Sequence, residues 1–214
     1  YTALGIKSNI PYTVWVEKKS AFSFAVNKPR INRVKMVNLL EQLDLYSDCY
    51  TLVSHEFKHP RKYFINNEDK LIGKSIHNEK CNLWIYENWL RREIFESSYV
   101  HLITEASWYA KSTFIDEKSV FPFEAGNIPI WVGGYGHPTY FRKMGFDVFD
   151  DIVDHSYEML DDPVDRLEQA ILRNKNLLQN KDLLTEYFNT NQHRFMANRE
   201  LIRSNKIFKY YNIL

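Results

Sequence analysis

The 214-residue chain has only two cysteines, Cys49 and Cys81. Two thiols without metal-site spacing make neither a disulfide framework nor a zinc site, so both read as reduced thiols of a cytoplasmic protein. No apolar stretch approaches the roughly 20 residues that span a bilayer, and Tyr1–Ile10 does not resemble a signal peptide. Charge of one sign is also missing: 28 Lys and Arg stand against 27 Asp and Glu, which gives no overall pull on nucleic acid or an anionic membrane. Any anion site must therefore be local. There is no internal repeat and no low-complexity tract.

What remains is an ordinary globular composition, 44% hydrophobic and 26% charged, that calls for one large domain or one domain with appendages. Ala21–Val26 alternates as a strand, and the turn Asn27-Lys-Pro-Arg30 leads into a helical pattern over Arg30–Leu45 with Val34, Val37 and Leu40 recurring. Cys49–Val53 is a second strand. Residues 55–98 are charged and weakly periodic, and read as an irregular insert. The strand–helix pattern then returns: Tyr99–Ile103, a helix over Thr113–Ala125 ended by Gly126, and Ile128–Val132. A short helix is expected over Thr139–Met144, a strand over Phe146–Phe149, and a long amphipathic helix over Asp161–Gln179. The units are a segment 1–20, an α/β domain 21–180 and a helical tail 181–214. Alternating strands and helices predict an α/β, Rossmann-like, mainly parallel sheet with helices on both faces. Ligands of such sheets bind where strand carboxyl ends lead into helix N-termini, and 27–33, 104–118 and 133–136 fall there.

Three stretches at those ends carry candidate chemistry. A helix N-terminus favours phosphate through its free N–H groups, Lys118 adds a full charge, and Glu117 can accept two hydrogen bonds from a ribose. From spacing alone the plainer reading, two solvated first-turn residues, stands ahead. Arg30 and Arg33 likewise read first as surface helix residues, although the planar guanidinium fork suits a diphosphate. Gly133-Gly134-Tyr135-Gly136 permits close backbone approach to a ligand, with His137 beside it as a possible proton carrier. His55 and His59 flank Glu56, but Pro60 interrupts the helix and no third ligand is evident, so no metal site is read there. Asp147, Asp150, Asp151 and Asp154 read as a solvated acidic loop ahead of a metal motif.

Phe114–Trp131, with Glu117, Lys118, Gly126, Ile128, Pro129 and Ile130, resembles the signature of the α-1,3-fucosyltransferases, in which a donor-site helix carries Glu-Lys and, eight residues on, a Gly before a Val-Pro-Val-type strand. Phe24–Asn27 followed by Arg33 and Leu39-Leu40 is similar to a second part of those enzymes. Arg30–Leu45, Glu117–Gly134 and Gly145–Phe149 with Ser156-Tyr157 together also look like glycosyltransferase-like proteins of viruses and environmental bacteria. The resemblance covers roughly two thirds of the chain and implies a GT-B-type donor domain. It implies that Arg33, or Arg30 one turn earlier, contacts the donor diphosphate together with Lys118, and that Glu117 holds the ribose. Thr104-Glu105-Ala-Ser107 stands where those enzymes have Glu-Asn-Ser; Glu105 could line the sugar, act as base, or hold a neighbouring loop. Phe114 replaces their Tyr, and Pro122 lies inside the helix, at a cost of roughly 3 kcal/mol unless a kink absorbs it.

The leading expectation is a metal-independent, cofactor-free transferase moving a sugar from a nucleotide diphosphate to a glycan or other hydroxyl acceptor. The chain is either the donor half of a longer enzyme or a compact protein that takes its acceptor site from a partner or from the irregular segment 55–98. Two rivals remain: a non-catalytic nucleotide- or carbohydrate-binding protein, and an interaction module built on Trp84, Trp89 and Trp108.

Overall fold

The computed structural model describes residues 18–26, 29–46, 49–53, 93–113, 115 and 117–204, with the backbone alone at 51–53, 93 and 117. Its elements are β1 (Ser20–Val26), α1 (Ile31–Gln42), β2 (Cys49–Val53), α2 (Glu93–Glu96), β3 (Ser98–Thr104), α3 (Glu117–Ala125), β4 (Ile128–Val132), α4 (His137–Lys143), α5 (Pro163–Leu172), α6 (Lys175–Leu178), α7 (Lys181–Thr190) and α8 (Gln192–Arg203). The four strands form one parallel sheet in the order β2-β1-β3-β4. This is the α/β, Rossmann-like arrangement with helices on both faces and a helical C-terminal region that the alternating pattern calls for. Within the described residues, no helix is long and apolar enough to cross a membrane.

The strands read as nearly continuous apolar runs because they are covered on both faces, as parallel strands are. Phe22, Phe24, Val100, Leu102, Ile130 and Trp131 are all essentially inaccessible. The C-terminal helices join the same core: Leu184 and Phe188 of α7 and Phe195 and Ile202 of α8 belong to its apolar cluster, and the Phe188 ring lies 5.5 Å from Tyr99 of β3. Glu124 of α3, buried, pairs with Arg203 of α8 at 2.8 Å, which locks the end of the chain's last described helix onto α3.

Three expectations are corrected. Phe146–Phe149 is not a strand. Asn198 of α8 accepts from the Asp147 N–H at 2.8 Å and donates to the Asp147 carbonyl at 2.7 Å, satisfying the backbone as a neighbouring strand would. Phe149 turns away at φ 63, and the alternation of Phe146 and Val148 reflects inward packing alone. The helix over 161–179 is two helices. Asp162 caps the first by accepting from the Val164 and Asp165 amides, and it stops at Leu172. Asn174 then grips the carbonyls of Ala170 and Asp154, both at 3.0 Å, and accepts from the Asp154 N–H at 2.9 Å, so the chain breaks step there. The helix expected from Thr113 begins only at Glu117. It accommodates Pro122 and closes with the Asn127 N–H on the Pro122 carbonyl and Gly126 at φ 70, a Schellman-type end. The last part of the 55–98 segment is ordered as α2 and the start of β3. Asn27, Phe114, the insert over 54–92 with His55, His59, Trp84 and Trp89, and both chain ends lie outside the described residues.

At the amino end of the strands the core is polar. The Ser23 hydroxyl lies 2.6 Å from that of Ser98 and 2.9 Å from His101 Nδ1, and the His101 ring packs 4.6 Å from Phe95. Burial pulls His101 down to about 3. Nearby, Lys18 donates to the Phe95 carbonyl at 3.2 Å with its amine over the Phe188 ring, and burial pulls it down to about 7 against the opposing field of Glu96.

The His101 ring gives a testable pH dependence. Its folded-state value lies below the 6.5 of a free imidazole, so the neutral ring's contribution is complete above pH 6.5 and is lost as pH falls toward 3. The loss is roughly 1.4 kcal/mol per pH unit. Urea unfolding at pH 7 and pH 5 is expected to show this slope in the wild type and a flatter one in His101→Gln, which keeps a polar contact to Ser23. Equal slopes would exclude His101 as the acid-sensitive group.

Candidate functional site

The sheet order reverses direction once. From β1 the chain crosses to β2 on one side, and from β3 it crosses to β4 on the other, so α1 and α3 leave the carboxyl ends of β1 and β3 around a gap. Ligands of open parallel sheets bind in that gap. The carboxyl edge brings together Arg30, Arg33, Thr104, Glu105, Glu117, Lys118 and the Gly133–Gly136 turn, from four separate stretches of sequence.

Arg30 is the N-cap residue of α1, exposed, with no side-chain capping bond. Arg33 is only 7% exposed; its Nε donates to Thr104 Oγ1 at 3.3 Å, so its guanidinium lies under the crevice. Asn32, fully buried beside it, donates to the Glu105 carbonyl at 2.9 Å. The buried face of α1 runs through Asn32, Arg33, Met36, Val37 and Leu40. Asn32 was not among the candidates read from sequence. Its signal was the helical periodicity itself, which carries the Val37–Leu40 face back onto two polar residues in the first turn. Lys118 is half-buried in the first turn of α3, where the helix N-terminus is most positive. Glu117 opens that helix.

Glu105 is 2% exposed. The chain of donors around it is fixed by chemistry: the Trp131 indole can only donate, and does so to Ser119 Oγ at 3.3 Å. The Ser119 proton is thereby directed to Glu105 Oε1 in a short hydrogen bond. His137 Nε2 lies 3.7 Å from the same carboxyl oxygen. The Glu105 carboxyl thereby joins the end of β3 to the first turn of α3.

The glycine turn is packed against protein. Gly133 has φ +88, and a Cβ on Gly134 would stand 2.5 Å from His137 Nδ1, so the ring of His137 occupies the space that glycine leaves. His137 itself is 2% exposed, stacked near Trp131 at 6.2 Å, and does not reach solvent to carry a proton. Below the turn lies Arg166, wholly buried, whose guanidinium donates to the backbone carbonyls of Gly133 at 2.9 Å and Trp108 at 2.6 Å, and also of Leu160 at 2.5 Å. It also lies 5.2 Å from the Tyr135 ring centroid. The Tyr135 carbonyl accepts from Thr113 Oγ1 at 2.9 Å, so the turn is tied to the 105–113 loop from two sides.

The acidic run is an ion-pair frame. Arg142 forks onto Asp150 at 2.7 and 2.8 Å and reaches Glu158, and Arg194 bridges Asp147 and Asp151. The Arg194 hydrogen bonds hold Asp151 down at about 2. A cavity of about 510 Å³ opens there; Arg142 and Arg194 engage Asp150, Asp151 and Glu158 of its lining, and Asp154 accepts from Ser156. Among the described residues, no group of three or more His, Cys, Asp or Glu is arranged to hold a metal ion.

No family model matches the chain, and neither the curated proteins nor the solved structures contain a significant match.

The Gly134–His137 packing is directly testable. Gly134→Ala is expected to cost about 1–3 kcal/mol in urea unfolding, as overpacking does. His137→Ala removes the ring that the new methyl meets, so in the double variant the two costs combine to less than their sum. Additive costs would show that the ring does not set the requirement for glycine.

Proposed function

We propose that the chain is the donor-binding half of a metal-independent glycosyltransferase, which holds a nucleotide diphosphate sugar in the gap between α1 and α3. The observation that carries this reading is the single reversal of strand order between β1 and β3, with the exposed Arg30, Lys118 and the opening residue Glu117 gathered on its carboxyl edge. The α-1,3-fucosyltransferase-like motif supports the assignment of roles to these residues.

In this reading the diphosphate meets the N-termini of α1 and α3, whose free amides and partial charge suit it. Arg30 and Lys118 neutralise the charge that grows on the leaving diphosphate as the glycosidic bond breaks, the term a rigid site stabilises most. Glu117 takes the ribose hydroxyls. Arg33 supports the field from beneath, held by Thr104. The acceptor and its base come from outside the described residues. One observation favours a second reading, a nucleotide-binding protein without turnover: Glu105, the carboxyl at the end of β3, is buried and bonded to Ser119.

Isothermal titration of the 214-residue chain with GDP, UDP and their sugar derivatives tests the site. One nucleotide is expected to bind, and Lys118→Ala, Arg30→Ala and Glu117→Ala each weaken it, the cation variants by roughly tenfold for the loss of one charge-assisted contact. A folded wild type that binds none of them overturns the reading. Binding without transfer to any hydroxyl acceptor and without donor hydrolysis selects the second.

A further inference from the structure

We infer that Glu105 is a positioning residue that locks together the three loops of the carboxyl edge, so that donor affinity depends on it and proton transfer does not. The inference rests on the donor-site reading for its consequence and on geometry for its substance. Each of three elements around the gap reaches this one residue. Asn32 of α1 donates to its carbonyl at 2.9 Å. Ser119 of α3, adjacent in sequence to Lys118, donates to its carboxyl. His137, which opens α4 after the glycine turn, stands 3.7 Å from the same carboxyl oxygen. Trp131 of β4 completes the line by donating to Ser119 at 3.3 Å.

These contacts make the position of Lys118 a function of Glu105. Lys118 and Ser119 share the first turn of α3, where Pro122 removes an amide that would otherwise bond one turn back, to the Lys118 carbonyl. A turn weakened in its own ladder is held instead by a side-chain bond into the end of β3. The charge and amides that would meet a diphosphate are aimed by that bond. The side chain is 2% exposed and directed into this network, so it is not presented to an acceptor hydroxyl. The carboxyl acts on Ser119 as an acceptor only, and a glutamine amide oxygen supplies the same function in nearly the same volume.

The test compares Glu105→Gln, Glu105→Ala and Ser119→Ala in the full 214-residue chain. Amide hydrogen exchange without ligand reads the tie itself. Faster exchange over 118–121 and 133–137 is expected in Glu105→Ala, over 118–121 in Ser119→Ala, and near wild-type exchange in Glu105→Gln. Unchanged exchange in both alanine variants overturns the inference, whether or not any nucleotide binds. Titration with GDP and UDP then reads the consequence: about tenfold weaker binding in both alanine variants, and binding within about threefold of wild type in Glu105→Gln. If Glu105 were the base, Glu105→Gln would bind donor as the wild type does yet lose most of the donor-hydrolysis rate, whereas a positioning role leaves that rate near wild type in Glu105→Gln; the former result also overturns the inference. A wild type that binds neither nucleotide removes the donor-site reading while leaving the exchange result to decide the tie.

Discussion

Buried backbone groups that lack a ladder partner must be satisfied by something, and in this protein side chains do it. Arg166 serves three carbonyls from three loops. Asn32 serves Glu105, Asn127 serves Phe95 and Ser98, Asn174 serves Ala170 and Asp154, and Asn198 serves both polar groups of Asp147. The strand ends, the glycine turn and the breaks between C-terminal helices all hang on these groups. An amide or guanidinium facing only carbonyls holds geometry without adding a second buried ionisable partner whose charge would have to be compensated.

That constraint also explains the polarity of the sheet's two ends. At the amino end, Ser23, Ser98, His101 and Lys18 are buried with neutral or nearly neutral states favoured by desolvation. At the carboxyl edge two cations stay nearer solvent, Arg30 exposed and Lys118 half-buried, while Arg33 is buried beneath them. A parallel sheet places helix N-termini at one end only, so positive partial charge accumulates there. The division of labour between a dry, uncharged floor and a positive rim follows from topology and burial together.

Much of the fold was legible because buried parallel strands announce themselves as short apolar runs. Cys49–Val53 and Ile128–Val132 stand at the bounds read from the sequence, β1 begins one residue earlier than expected, and β3 extends one residue further at each end. Two of the three corrected spans share one cause. Phe146–Phe149 and Asp161–Gln179 carry the right periodicity, but Asn198 and Asn174 capture the local backbone, and a distant side chain leaves no mark on local pattern. The site was legible as a set of positions and not as a set of roles. Arg30 and Lys118 read as candidates and stand on the carboxyl edge, whereas the inward turn of Arg33, the burial of Glu105 and the work of Asn32 and Arg166 depend on which way a helix rotates.

The pairing of β1 with β3 has a kinetic side. Ser23 and His101, neighbours across two adjacent strands, are 78 residues apart in sequence. β1 and β2 can meet soon after the helix between them forms, yet that two-stranded unit buries little until a chain segment about three times as long has been closed. Loop closure over such a span raises the relative contact order and slows the search. During synthesis the early half of the sheet therefore waits with one long edge of β1 open, and the protein passes through its most adhesive moment before β3 has left the ribosome.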